Sequence, residues 1–297
     1  MAKTVTPLRY PGGKSSLCGF MKIVFSTNDL HDGDYVEPYC GGAGIAMELL
    51  QAEFAGRVYL NDIDPSIHAF WYSVLHHTEE FCRRVDTVKV SVTNWRRQRA
   101  VIDDPKGHSE FDLGFAAFFL NRVNRSGIIS AGPIGGFDQR GTWGIDARFN
   151  RAALTKQIEA IAKFKDRISL HKLDAVAFLR KVVPHLRKRS LIYLDPPYVV
   201  KGQRLYLNAY QDKDHADIAN FIQGTTNTRW IVSYDDVELI RRLYSKRRAI
   251  TYRIGYSANR RSLGSEIIIF SDILALPDVD SPLSINGSRL RQLLRAA

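Results

Sequence analysis

Leu191-Ile192-Tyr193-Leu194-Asp195-Pro196-Pro197-Tyr198 joins an apolar run to an acid, two prolines and an aromatic ring. Successive apolar residues closed by a proline turn read as a buried strand, which sets the acid at the strand's C-terminal edge, where open α/β sheets bind ligands. The prolines lack N–H groups and fix φ, so the turn offers acceptors only, the Asp195 carboxylate and the Pro196 carbonyl. Tyr198 adds a ring face beside them. Such a site suits an exocyclic amine on a flat ring, its two N–H bonds meeting the acceptors while the ring stacks on Tyr198. An amine such as adenine N6 is a poor nucleophile because its lone pair is conjugated into the ring. Acceptors that hold both N–H bonds favour a pyramidal nitrogen and supply transition-state stabilisation of about several kcal/mol. Alone, the tetrapeptide reads equally well as a polyproline-like turn after a strand.

Working outward, strand-like runs followed by helical patterns recur, the signature of a mainly parallel sheet. Tyr35 to Tyr39, Arg57 to Leu60, Ile168 to His171, Leu191 to Leu194 and Trp230 to Ser233 read as strands, with helices at Ile45 to Phe54, Pro65 to His76 and Ala175 to Val183. Ala249 to Tyr256 and Glu266 to Phe270 read as an antiparallel pair at the sheet's end. The rhythm breaks after His77. Residues 78–151 hold Trp95, a basic cluster at Arg96-Arg97-Gln98-Arg99, a helical stretch from Phe111 to Leu120 and a glycine-rich stretch from Ser126 to Gly144. A segment this long between two strands predicts an inserted lobe, leaving 1–77 and 152–276 as the core and 277–297 as a tail with Leu290, Leu293 and Leu294 on a short surface helix.

The first strand runs into Cys40-Gly41-Gly42-Ala43-Gly44 and then a helix, and Asp62 follows the next strand, eighteen residues after Gly44. Glycines here let the backbone approach a ligand, and an acid at that distance can hold two ribose hydroxyls. The pattern fits NAD, FAD and S-adenosylmethionine equally, and also a plain turn with a capping Asp. Pro11-Gly12-Gly13-Lys14-Ser15-Ser16 fails as a phosphate loop, since position 8 is Leu where that pattern needs glycine and no strand precedes it.

Lys plus Arg number 42 against 31 acids, for a net charge of +11. This excess points to a polyanionic partner without naming a sequence. Three cysteines without a Cys-x-x-Cys pair speak for a reducing compartment and against a structural zinc site. No signal peptide or membrane-length apolar run is visible, so the expectation is a cytoplasmic protein without membrane contact or metal.

Pro7-Leu8-Arg9-Tyr10-Pro11-Gly12-Gly13-Lys14, Glu37-Pro38-Tyr39 with its glycines, Asn61-Asp62-Ile63-Asp64 and Asp195-Pro196-Pro197-Tyr198 occur in this order. Together they resemble the DNA adenine methylase (Dam-like) family of N6-adenine DNA methyltransferases. Phe119-Leu120-Asn121-Arg122 with Ser126-Gly127 looks like that family's lobe signature, and Tyr210, Ser233 and Glu266-Ile267-Ile268-Ile269 fit its later pattern. The resemblance implies a Rossmann-like α/β methyltransferase sheet with an inserted, mainly helical target-recognition lobe. It implies S-adenosylmethionine held by Tyr10, Lys14, Glu37, Gly42, Gly44, Asp62, Asp174 and Asp195, with Asp174 nearly as well explained as a helix N-cap. Asp195, Pro196 and Tyr198 would be catalytic, acting on a base flipped from double-stranded DNA. Asn121, Arg122, Asn124 and Arg125 would touch DNA, since Arg reads guanine and Asn reads adenine.

Ser126 stands where the family often has Asn, so the resemblance does not extend to a GATC target. N4 of cytosine needs the same acceptors and stays open as the target. RNA and protein-glutamine relatives usually carry Asn at position 195, and a non-catalytic DNA-binding relative would not need the intact Lys14, Asp62 and Asp195.

Overall fold

The computed structural model describes residues 5–9, 14–199, 210–256, 262–279, 281–283, 285 and 287–296, with backbone alone at 253–256, 262, 263, 287, 288, 295 and 296. Seven strands form one sheet: β1 (Gly33–Glu37), β2 (Ala55–Asn61), β3 (Ile168–His171), β4 (Ser190–Leu194), β5 (Arg229–Asp235), β6 (Arg248–Tyr256) and β7 (Ser262–Phe270). Their order is β3-β2-β1-β4-β5-β7-β6. Pairs are parallel except those made by β7, which runs antiparallel between β5 and β6. The chain winds outward from β1 to β3, then returns to place β4 beside β1. That reversal is a topological switch point, where ligands bind outside the carboxyl ends of the strands.

Two strand expectations shift. The first strand stops at Glu37, not Tyr39, because Pro38 has no N–H for the ladder. β7 spans nine residues and starts before Glu266, while its antiparallel pairing with β6 at the sheet's end is as expected. The other strands fall where the sequence placed them, with their ends moved by a few residues.

The chain divides into two compact units, Lys14–Ile63 with Arg167–Ala297, and Met1–Gly13 with Asp64–Asp166. The first carries the sheet. α1 (Cys18–Thr27) and α2 (Gly44–Gln51) bury Phe20, Val24, Met47 and Leu50. α8 (Ala175–Val182) and α9 (Asp212–Gly224) join Val36, Ile192, Leu194, Trp230 and Val232 in one cluster through Phe178, Leu179, Ile218 and Ile222. β1 and β4 are buried along their whole length, as strands covered on both faces must be. The tail contains α11 (Gly287–Ala296), preceded by α10 (Glu238–Leu243) within the sheet region.

The second unit is helical: α3 (Pro65–His76), α4 (Thr78–Thr87), α5 (Val92–Asp103), α6 (Glu110–Val123) and α7 (Arg151–Ala162). Each N-terminus of α3, α5, α6 and α7 is capped by a side chain, from Asp64, Ser91, Ser109 and Asn150. Phe70, Phe81, Phe118 and Phe149 form an aromatic core, with Phe70 and Phe118 stacked at 6.1 Å. α3 and α6 approach closely because position 114 is glycine; a Cβ there would lie 2.3 Å from the Ala69 carbonyl oxygen. This packing makes the unit wider than 78–151, drawing in α3. Among the described residues, no helix is long and apolar enough to cross a membrane.

Candidate active site

The glycine turn after β1 needs a backbone that most side chains resist. Gly41 has φ 44°, and Ala43 takes the left-handed region as well, with φ 44°. The Gly41 amide donates to Asp62 Oδ2 at 2.9 Å, tying the turn to the end of β2. Gly42 lies in this buried turn and Gly44 opens α2. Glu37 is buried below it; its Oε1 accepts from the Tyr35 hydroxyl at 3.0 Å and the Ala46 amide at 3.2 Å. Burial pushes its carboxyl up to about 8, against the pull of those two donors, and the nearby Asp195 adds to the rise.

Asn61 had no role in the sequence reading, yet it joins three strand ends. Its Nδ2 donates to the carbonyls of Pro38 and Leu173 at 2.9 Å each, and its Oδ1 accepts from the Leu173 amide at 2.9 Å. Asp174, next along, is exposed and caps α8 through the Val176 and Ala177 amides. Tyr10 lies outside the described residues.

Across the switch point, Asp195 follows β4 and keeps 24% of its side chain exposed. Its Oδ1 accepts from Ser233 Oγ at 2.8 Å, and Ser233 is in turn paired with the Tyr193 hydroxyl at 2.8 Å. Lys14 Nζ stands 2.9 Å from Oδ1 and 3.2 Å from Oδ2. Burial raises the Asp195 carboxyl, and the ammonium of Lys14 works against that rise. Pro196 is buried, as is Tyr198, whose hydroxyl accepts from Lys14 at 2.7 Å and donates to Glu266 Oε1 at 2.7 Å. Asp195, Tyr198 and Lys14 are therefore brought together, with Ser233 and Glu266 as partners to which the sequence reading gave no task. Glu266 had one signal, an acid heading the apolar run Ile267-Ile268-Ile269 in a strand.

Residues 10–261 match the family model described as D12 class N6 adenine-specific DNA methyltransferase. The chain belongs to that family. It is a DNA adenine methyltransferase, and its sheet is the Rossmann-like methyltransferase sheet that the resemblance implied. Among solved structures, an rRNA methyltransferase, aviRa from Streptomyces viridochromogenes, aligns over 80% of this chain and 76% of that chain at 11% identity, with a TM-score of 0.30. Among curated proteins none matches.

In the methyltransferase's helical unit, the four residues expected at DNA have different surroundings. Asn121 is buried; its Oδ1 accepts from the Arg9 amide at 2.7 Å, and its Nδ2 donates to the carbonyls of Arg9 at 2.9 Å and Gly127 at 2.8 Å. Asn124 is buried too, accepting from Trp95 Nε1 at 2.6 Å and donating to Ile128 and Ile129 at 2.9 Å each. Both carboxamides bind the lobe's own backbone or core. Arg122 is half-buried, donates to the Pro7 and Arg148 carbonyls, and is lowered to about 10 by burial and by Arg9 and Arg148. Arg125 is exposed, as are Arg96 and Arg97 on α5.

The loop from Pro133 to Ile145 was only a glycine-rich stretch in the sequence. Gln139, with φ 52°, donates to the Ile134 carbonyl at 2.9 Å and accepts from the Ile145 amide at 2.8 Å. The loop so closed displays Phe137 at 53% exposure and Trp143 at 70%. Among the described residues, no three His, Cys, Asp or Glu side chains are grouped to hold a metal ion.

Proposed function

We propose that this methyltransferase methylates N6 of an adenine flipped out of double-stranded DNA, with Asp195 and the Pro196 carbonyl as acceptors for the target amine. The observation that carries the reading is the orientation of Asp195 at the switch point by Ser233 and Lys14. S-adenosylmethionine fits the residues on the β1 side. The left-handed turn at Gly41 and Ala43 leaves room for close backbone approach, Asp62 borders it, and the carboxylate at Asp195 suits a cationic donor. When bound, S-adenosylmethionine supplies an electrophilic methyl group on a sulfonium.

Lys14, Glu37, Gly42, Gly44, Asp62 and Asp174 remain the residues assigned to hold it, with Tyr10 beside Lys14 in sequence. Glu37 and Asp174 act through position: one supports the turn from below and the other fixes the start of α8. Asp195 accepts one N–H bond of the amine and the Pro196 carbonyl the other, which aligns the lone pair, and Asp195 can receive the proton that the amine sheds. Lys14 now donates to both Asp195 oxygens, so it yields at least one of them when the amine arrives. Extrusion of a base costs a few kcal/mol. Stacking returns about 1–3 kcal/mol per base.

The helical unit, 64–166 with the N-terminal residues, serves as the target-recognition lobe. Exposed Arg96, Arg97 and Arg125 suit phosphates, and exposed Phe137 and Trp143 suit base faces. Asn121, Arg122 and Asn124 hold the shape that presents them. Incubating the protein with methyl-labelled S-adenosylmethionine and duplex DNA, then analysing nucleosides, should give N6-methyladenine. Label in N4-methylcytosine, or none in DNA, would overturn the reading.

A further inference from the structure

Glu266 is a buried acid that the transfer chemistry above leaves without a task. It lies on β7 with no exposed surface, opposite Tyr252 of β6 and Asp235 of β5 in the ladder. The hydrogen bonds through it run in one direction. Lys14 Nζ donates to the Tyr198 hydroxyl at 2.7 Å, Tyr198 donates to Glu266 Oε1 at 2.7 Å, and Tyr252 donates to Oε2. Both of its oxygens accept. One ammonium is thus shared between two carboxylates, Asp195 at 2.9 Å and Glu266 at 3.7 Å. Asp235 adds a further acid on the same ladder row, with Oδ1 accepting from the Val199 amide at 3.0 Å. Buried charges such as these are weakly screened.

We infer that Glu266 sets the charge by which the site prefers its cationic methyl donor over the neutral product. The inference rests on the donor reading above. S-adenosylmethionine and S-adenosylhomocysteine share the adenosine, the carboxylate and the ammonium, and differ by one methyl group and the sulfonium charge. Lys14 offsets Asp195; Glu266 supplies negative charge beyond that offset. It holds the donor and weakens the grip on the product once the methyl group has left. Tyr198 and Tyr252 each fix one oxygen of this carboxylate, holding it 3.7 Å from Lys14.

Equilibrium dialysis with each ligand tests this on the wild-type chain, Glu266→Gln and Tyr252→Phe. Glu266→Gln keeps the shape and drops the charge, so the donor-to-product affinity ratio should fall about tenfold, through weaker donor binding. Tyr252→Phe removes one hydrogen bond from the same carboxylate but keeps its charge, so the ratio should hold. Equal losses for both ligands in Glu266→Gln, or the same change of ratio in Tyr252→Phe, would overturn the inference. Should Glu266→Gln lack a cooperative thermal transition, the wild-type chain decides the matter with sinefungin, which carries an ammonium in place of the methyl-sulfonium. It should bind tighter than S-adenosylhomocysteine, and equal binding overturns the inference. A wild-type chain that binds no S-adenosylmethionine overturns the donor reading and the inference with it.

Discussion

Asp195 and Glu37 are two acids at neighbouring strand ends with opposite requirements. Asp195 must accept hydrogen bonds, and Lys14 and Ser233 stabilise it in that form. Replacing it with Ala should lower methyl transfer about a hundredfold or more while DNA binding, measured by filter retention, persists. Transfer that survived would remove Asp195 from the chemistry. Glu37 is raised to about 8 by burial, so it carries its proton at neutral pH, whereas in the unfolded chain it titrates near 4.5. Between those values the folded state binds more protons than the unfolded one, so stability falls as pH rises, by at most about 1.4 kcal/mol per unit. Glu37→Gln mimics the protonated acid and should flatten that slope in urea denaturation at pH 5 and pH 8; parallel curves would assign the slope elsewhere. The place of Asp195 at a strand's end was legible in the sequence because its apolar run and prolines are local. The partner of Tyr198 was not, because Glu266 lies 68 residues away and meets it only through the β5–β7 pairing. Asn121 and Asn124 were harder to read for another reason: a carboxamide that can read a base can equally pin a backbone, and only the structure shows that both are buried with their hydrogen bonds made inside the protein.

At the scale of elements, the strand-and-helix alternation carried most of the sheet. What periodicity could not supply was order. β6 and β7 read as a terminal hairpin, and nothing local says that β7 inserts beside β5. The extent of the helical unit was hidden likewise, because α3 follows β2 as a crossover helix would, and only Gly114 marks its close partner. Gly114→Ala discriminates between local and tertiary control there. Helix propensity favours Ala by about 1 kcal/mol. The added Cβ would meet the Ala69 carbonyl at 2.3 Å. Backbone cannot yield cheaply, and overpacking costs about 1–3 kcal/mol. A lower thermal transition is therefore expected, and an unchanged or higher one would show that α3 and α6 can separate without loss.

For the whole molecule, the net charge of +11 has a measurable consequence in DNA binding. If Arg96 and Arg97 touch phosphates, replacing both with Gln should reduce the slope of log affinity against log salt by about 2. An unchanged slope would return them to plain surface charge. The display of Trp143 offers a second view of the same event. The chain has four tryptophans, and Trp71, Trp95 and Trp230 are buried. Acrylamide should therefore quench one red-shifted emission component and leave a blue-shifted remainder, so that the protein carries its own optical reporter. Shielding of that component on adding duplex DNA would place the loop around Gln139 at the nucleic acid, without any label attached.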